Sequence, residues 1–143
     1  MRINVGIPVE DLSDEHLRAE EAEIAMLPGF YNRVWKGKSK IPTKFTLGKG
    51  HISFFMNKKT WSLARYHLLH EECLKRGFNI KNKESKWDGW KPNEDVEFNE
   101  EGFERNLLIE RIESKIKAST GHFHYYRKKI EKDDIIKKLK GSH

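Results

Sequence analysis

Lys58-Lys-Thr-Trp-Ser-Leu-Ala-Arg-Tyr-His-Leu-Leu-His-Glu-Glu-Cys-Leu-Lys-Arg-Gly77 is the stretch whose reading decides the fold. Trp61, Ala64, Leu68, Leu69 and Cys73 recur at helical spacing, so a helix is predicted from about Lys58 to Arg76 with these five as its apolar stripe. Lys75 and Arg76 suit the negative end of a helix, and Gly77 is a natural stop.

Working toward the N-terminus, Lys38 to Asn57 has no helical period. Phe45, Leu47, Ile52 and Phe54 alternate around Gly48-Lys-Gly50 as the strands of a hairpin do. Before that, Asp11 and Ser13 are good N-caps, with Asp14 and Glu15 placed to favour the positive helix end. A first helix is predicted from there to about Lys36, carrying Leu17, Ile24 and Leu27, kinked at Pro28-Gly29 and stopped by Gly37. The opening Arg2 to Val9 is β-branched and broken by Gly6 and Pro8, and reads as extended.

Working toward the C-terminus, Asn79 to Phe98 mixes charge with Pro92, Trp87 and Trp90, the composition of a loop packed down by aromatics. Asn99, Glu100 and Glu101 begin a third predicted helix that reaches Ala118, with Phe103, Leu108, Ile112 and Ile116 inward. Past Gly121 and the run His122-Phe-His-Tyr-Tyr126 the tail is basic. There Ile130, Ile135, Ile136 and Leu139 can line a short amphipathic helix, with disorder as the other reading.

The 143 residues fit one core, and 35% charged content gives a wet surface. A net charge of +6 suits a polyanion, because each neutralised phosphate releases condensed counterions. One cysteine forms no intrachain disulfide, and no apolar run is long enough to span a bilayer. With no signal-peptide pattern at Met1 to Glu10, a cytosolic chain beginning at or next to Met1 is expected. No Cys-x-x-Cys, His-Glu-x-x-His or phosphate-binding glycine loop is present, so neither metal nor cofactor is expected.

Two groupings have chemical potential, each with a plainer reading beside it. His16, Glu20 and Glu23, spaced i, i+4, i+7, share one helix face that is either an acid–base or metal site or a solvated acidic stripe. Arg111 and Lys115, with the aromatic run and Arg127-Lys128-Lys129, suit phosphates and bases, whereas Tyr125 and Tyr126 can equally be structural.

Ordered blocks extend this reading: Arg2-Ile-Asn4; His16-Leu-x-Ala-Glu20-x-x-Glu23; Pro42-Thr-x-Phe-x-Leu-Gly-x-Gly-His51 with Phe54-Phe55; and Glu72-Cys-Leu-Lys-Arg-Gly-Phe-Asn-Ile80. Arg111-Ile-x-x-Lys115-Ile and Tyr125-Tyr126 follow. Together, over about residues 2–128, they resemble the phage-type pyrimidine-dimer DNA glycosylase and AP lyase family. The resemblance implies a mainly α, compact single domain of three helices with long irregular loops, the N-terminal segment threaded between the first and third helices. It replaces the hairpin at Phe45–Phe54 with irregular loop. It divides the chain into a domain of residues 1–128 and a basic tail of residues 129–143.

The resemblance also implies a bifunctional enzyme on double-stranded DNA, acting as a monomer without a cofactor. Its nucleophile would be the first residue's α-amine, here Met1, since bulky Arg2 opposes methionine removal, and its essential carboxylate would be Glu23. Arg2, Lys40, Arg111, Lys115, His122, Tyr125 and Tyr126 would contact DNA, with His16 beside the site. Two family arginines fall on Ala22 and Met26, which leaves open the same chemistry on another modified base or on abasic sites alone. A non-catalytic DNA-binding relative is the third reading.

Overall fold

The computed structural model describes residues 3–35, 40–42, 50–98 and 105–141. Six α-helices stand among them: α1 (Asp14–Ile24), α2 (Leu27–Phe30), α3 (His51–Phe54), α4 (Lys59–Lys75), α5 (Arg105–Ala118) and α6 (Lys132–Leu139). Two short strands, β1 (Phe123–Tyr125) and β2 (Lys128–Ile130), pair antiparallel. The fold is mainly helical, and α1, α4 and α5 are its long members.

The Ser13 side chain caps α1 by accepting from the His16 N–H at 3.2 Å. The helix ends sooner than the predicted Lys36, at Ile24. Pro28 has no N–H to give the Ile24 carbonyl, so the proline acts four residues upstream and instead opens α2. A π-helical turn, Tyr31–Trp35, follows.

Helix α4 matches its predicted span and ends as expected. Phe78 N–H bonds to the Cys73 carbonyl and Gly77 N–H to the Leu74 carbonyl, each at 3.0 Å, with Gly77 at φ +90°. That is the Schellman closure, which satisfies carbonyls the helix end would orphan. Its predicted stripe needs correction: Leu68 is 53% exposed, Ala64 is exposed and Trp61 half-buried. Ser62, Arg65, Tyr66, Leu69, His70 and Cys73 form the inward face, continued by Arg76. Charged groups take these places because α1 meets them with carboxylates.

The strand reading around Phe45 fails where it can be examined, since His51–Phe54 is helical, which also displaces the irregular-loop expectation there; residues 43–49 lie outside the described residues. In Asn79–Phe98 a 3-10 turn, Glu84–Gly89, lays Trp87 and Trp90 into the core, as the aromatics suggested. Leu108, Ile112 and Ile116 of α5 face inward with Ile109, while predicted Phe103 lies outside the described residues. The tail is helical at α6 and buries Ile135, Ile136 and Leu139.

The hairpin β1–β2 was not expected. Its two-residue turn, Tyr126–Arg127, has φ of 50° and 69°, the doubly positive backbone of a type I′ turn without the usual Gly or Asn. Asp14 makes up for this. Its carboxylate accepts the N–H groups of Tyr126 and Arg127 at 3.1 and 2.7 Å, and Oδ1 also accepts Arg76 at 2.9 Å.

Candidate active site at the C-terminal end of the first helix

The N-terminal segment is not the extended strand predicted. It turns at Gly6, with φ +78°, and runs into a 3-10 turn at Val9–Asp11. Ile3, Val5 and Ile7 are fully buried and Asn4 is buried beside them, which makes the segment an interior element.

Arg65 of α4 and Arg76 at its C-cap hold it. Arg65 donates from Nε and Nη2 to Glu20 at 2.8 and 3.1 Å, from Nη2 to the Asn4 carbonyl at 3.0 Å and from Nη1 to the Ile7 carbonyl at 2.8 Å. Asn4 Nδ2 donates to Glu20 Oε1 at 2.8 Å. Eleven residues on, Arg76 donates to Glu72 and Asp14 and to the carbonyls of Leu12, Val9 and Glu10. Burial works against its charge, but the bonds to Glu72 and Asp14 prevail, and its pKa is raised.

From Arg76 to Arg65 is about 16 Å of helix rise. Over that distance the N-terminal segment passes from residue 10 back to residue 4 while α1 advances from Asp14 to Glu20. The start of the described chain therefore lies toward the C-terminal end of α1, in whose last turn Glu23 stands, half-buried. There Ile3 N–H donates to His51 Nε2 at 2.9 Å. Ala22 and Met26, both exposed, flank Glu23 without adding charge.

The three-residue face of His16, Glu20 and Glu23 is divided by the structure. Glu20 is buried in the Arg65 pair and is structural. His16 stacks on Phe123 at 5.6 Å with Nδ1 3.0 Å from Ser13 Oγ, and stands about 10 Å of helix rise from Glu23. Met1 and Arg2 lie outside the described residues.

Of the predicted DNA-contacting residues, Lys40, Arg111, Lys115 and His122 are exposed, the middle two on one face of α5. Tyr125 and Tyr126 are engaged in the fold: the Arg76 guanidinium lies 4.6 and 4.9 Å from their ring centroids. Tyr125 OH donates to the Glu10 carbonyl at 2.7 Å, and Lys138 of α6 lies over the same ring at 4.3 Å. Tyr126 OH donates to Glu72 at 3.0 Å; burial, then this bond, raises its pKa and keeps the phenol a donor. Both rings thus have partners within the fold.

His51, Arg65, Arg76 and Asp14 escaped functional notice in the sequence. Only the Gly-x-Gly-His51 block hinted at the first, because its partner is 48 residues away. No helix of the described residues is long and apolar enough to cross a membrane. A family model described as pyrimidine dimer DNA glycosylase matches residues 1–86, the part containing α1 to α4 and both arginine clamps.

Proposed function

The chain belongs to the pyrimidine dimer DNA glycosylase family, and from that premise we propose that it cuts damaged double-stranded DNA as a monomeric glycosylase and AP lyase whose nucleophile is the Met1 amine and whose working carboxylate is Glu23. The observation that carries the reading is the course of the buried N-terminal segment, which brings Ile3 toward the Glu23 end of α1. Met1 is two peptide links from Ile3, at most about 7.6 Å between Cα atoms.

An α-amine has a pKa of about 7.7–8.0 against about 10.4 for lysine, so near neutrality far more of it is unprotonated. Its lone pair attacks sugar C1′, the C1′–N bond breaks and the base leaves with that electron pair. Ring opening gives an imine, which acidifies the C2′ proton. Removing that proton lets the 3′ phosphate depart and nicks the strand. Glu23 stabilises the developing sugar cation and moves protons during ring opening and elimination. Lys58 is a rival amine whose pKa burial lowers. Its Nζ is turned inward, donating to Phe54 O and Asn57 Oδ1 and lying 3.9 Å from the Phe54 ring centroid.

In this reading Arg2, Lys40, Arg111, Lys115 and His122 meet phosphates, and Tyr125 and Tyr126 brace the surface behind them. On the same reading residues 1–128 form the working unit and residues 129–143 the basic tail, whose helix α6 buries Ile135, Ile136 and Leu139. The N-terminal segment runs between the first and third long helices. Its support is the full burial of Ile3, Val5 and Ile7.

The test incubates the protein with duplexes carrying a thymine dimer, an abasic site or neither, under borohydride, and sequences the cross-linked peptide. Attachment at Met1 is expected; attachment at Lys58 or another lysine refutes the assignment. Cleavage of the abasic duplex alone restricts the substrate, as uncharged Ala22 and Met26 beside Glu23 would favour. Glu23→Gln is expected to lower strand scission about 10²- to 10⁴-fold with DNA binding retained.

A further inference from the structure

We infer that His51 is a positioning residue for the reacting amine: its Nε2 takes the Ile3 N–H and anchors the described backbone nearest to that amine in the chain. The inference rests on the imine reading above and deepens it.

An N–H donor at 2.9 Å requires a lone pair on Nε2, so the ring proton resides on Nδ1. The ring is 4% exposed and is fixed from two sides. It opens α3, directly after Gly50 at φ +94°, a backbone that brings the chain in sharply. Its edge meets Phe55 at 5.3 Å and 83°, and Phe55 in turn stacks on Trp61 of α4 at 5.4 Å. His51 is thus a post braced on the same helix that supplies Arg65.

Its share of the work differs from that of Arg65. Arg65 and Glu20 already dock the segment at Asn4 and Ile7, and those bonds persist without the imidazole. His51 grips the backbone closest to the amine. Losing it frees the backbone at Ile3 while leaving the segment docked at Asn4 and Ile7, so the consequence falls on the geometry of attack. Misplacing a reacting group by about 1 Å costs on the order of 100-fold in rate.

The experiment compares wild type, His51→Gln and His51→Asn. The Gln side chain can set an acceptor where Nε2 stands, whereas the Asn amide stops short, near Nδ1. Single-turnover borohydride trapping on an abasic duplex, affinity for the same duplex and thermal midpoint are measured for each. Gln is expected to trap within about 3-fold of wild type and Asn about 10- to 100-fold more slowly, with affinity unchanged. Equal trapping by all three proteins overturns the inference alone, as does an Asn variant whose affinity falls in step with its rate. A wild type that traps nothing at Met1 overturns the imine reading and this one with it. Hydrogen exchange of the wild-type Ile3 amide, expected to be slow, gives an arm that needs no variant; exchange at open-chain rate removes the bond on which the inference stands.

Discussion

Two seams hold the molecule together by different means. Between α1 and α4 with the residues that follow it, ion pairs cross the contact: Asp14 with Arg76, Glu20 with Arg65, and Glu21 with His70 at 3.0 Å and with Lys83 at 2.7 Å. Around α5 and α6 the buried side chains are Leu108, Ile109, Ile112, Ile116, Ile135, Ile136 and Leu139, with the Lys140–Glu113 pair at the rim. Burying each such aliphatic stabilises by about 1.5–3 kcal/mol whatever its exact neighbour. A buried ion pair contributes little net, because desolvation offsets attraction, yet losing one partner is severe. The apolar seam supplies adhesion, and the polar seam supplies alignment: sliding α1 one turn along α4 would strand every carboxylate. Alignment is needed there, since this seam carries the N-terminal segment toward Glu23.

The largest expected effect tests the polar seam. Arg76→Ala leaves Asp14 and Glu72 buried without their cation and should cost about 3–5 kcal/mol in a urea unfolding curve; a loss typical of a surface change would break the contrast. Leu139→Ala in α6 should cost about 3 kcal/mol by transfer and cavity together, with the proposed lyase rate unchanged, because the anchorage of the N-terminal segment at Glu20 and Arg65 does not involve α6. The double change Glu20→Leu with Arg65→Met sharpens the comparison. It should cost less stability than either single change, about 1–3 kcal/mol from the orphaned Asn4 and Ile7 carbonyls, while lowering the trapping rate.

The smallest effect concerns Cys73 on the polar seam. Burial, then the Glu21 charge, raises its pKa from 9.0 to about 11. Iodoacetamide at neutral pH should leave it unlabelled in the folded protein and modify it promptly in urea. Since the folded-state value is the higher, its stability contribution is full below pH 9 and is lost as pH climbs to about 11.

These seams explain what could be read in advance. The apolar seam was legible: Leu108, Ile112, Ile116, Ile135, Ile136 and Leu139 stand at helical spacing, and spacing of apolar residues is a local signal. The Gly77 terminus was legible for the same reason. The inward face of α4 was not, because Arg65, His70 and Arg76 look like solvent-facing residues until α1 supplies acids from some fifty residues away. Pro28 was placed as a kink, but its missing N–H shortened the helix upstream. Of the candidate site, helical spacing put Glu23 on a face with His16 and Glu20 and the family pattern singled it out, whereas no periodicity marks a backbone amine as a nucleophile. The Gly-x-Gly-His51 block marked His51 but not its role, since the group it holds is a peptide N–H.

The turn at Tyr126–Arg127 has a kinetic corollary. Its left-handed residues cost about 1–2 kcal/mol each as an isolated peptide, and the compensating carboxylate is more than a hundred positions distant in the chain. The ribbon therefore cannot nucleate collapse. It must wait until α1 has docked and Asp14 is presented, which makes it a late-forming lock on a frame assembled before it.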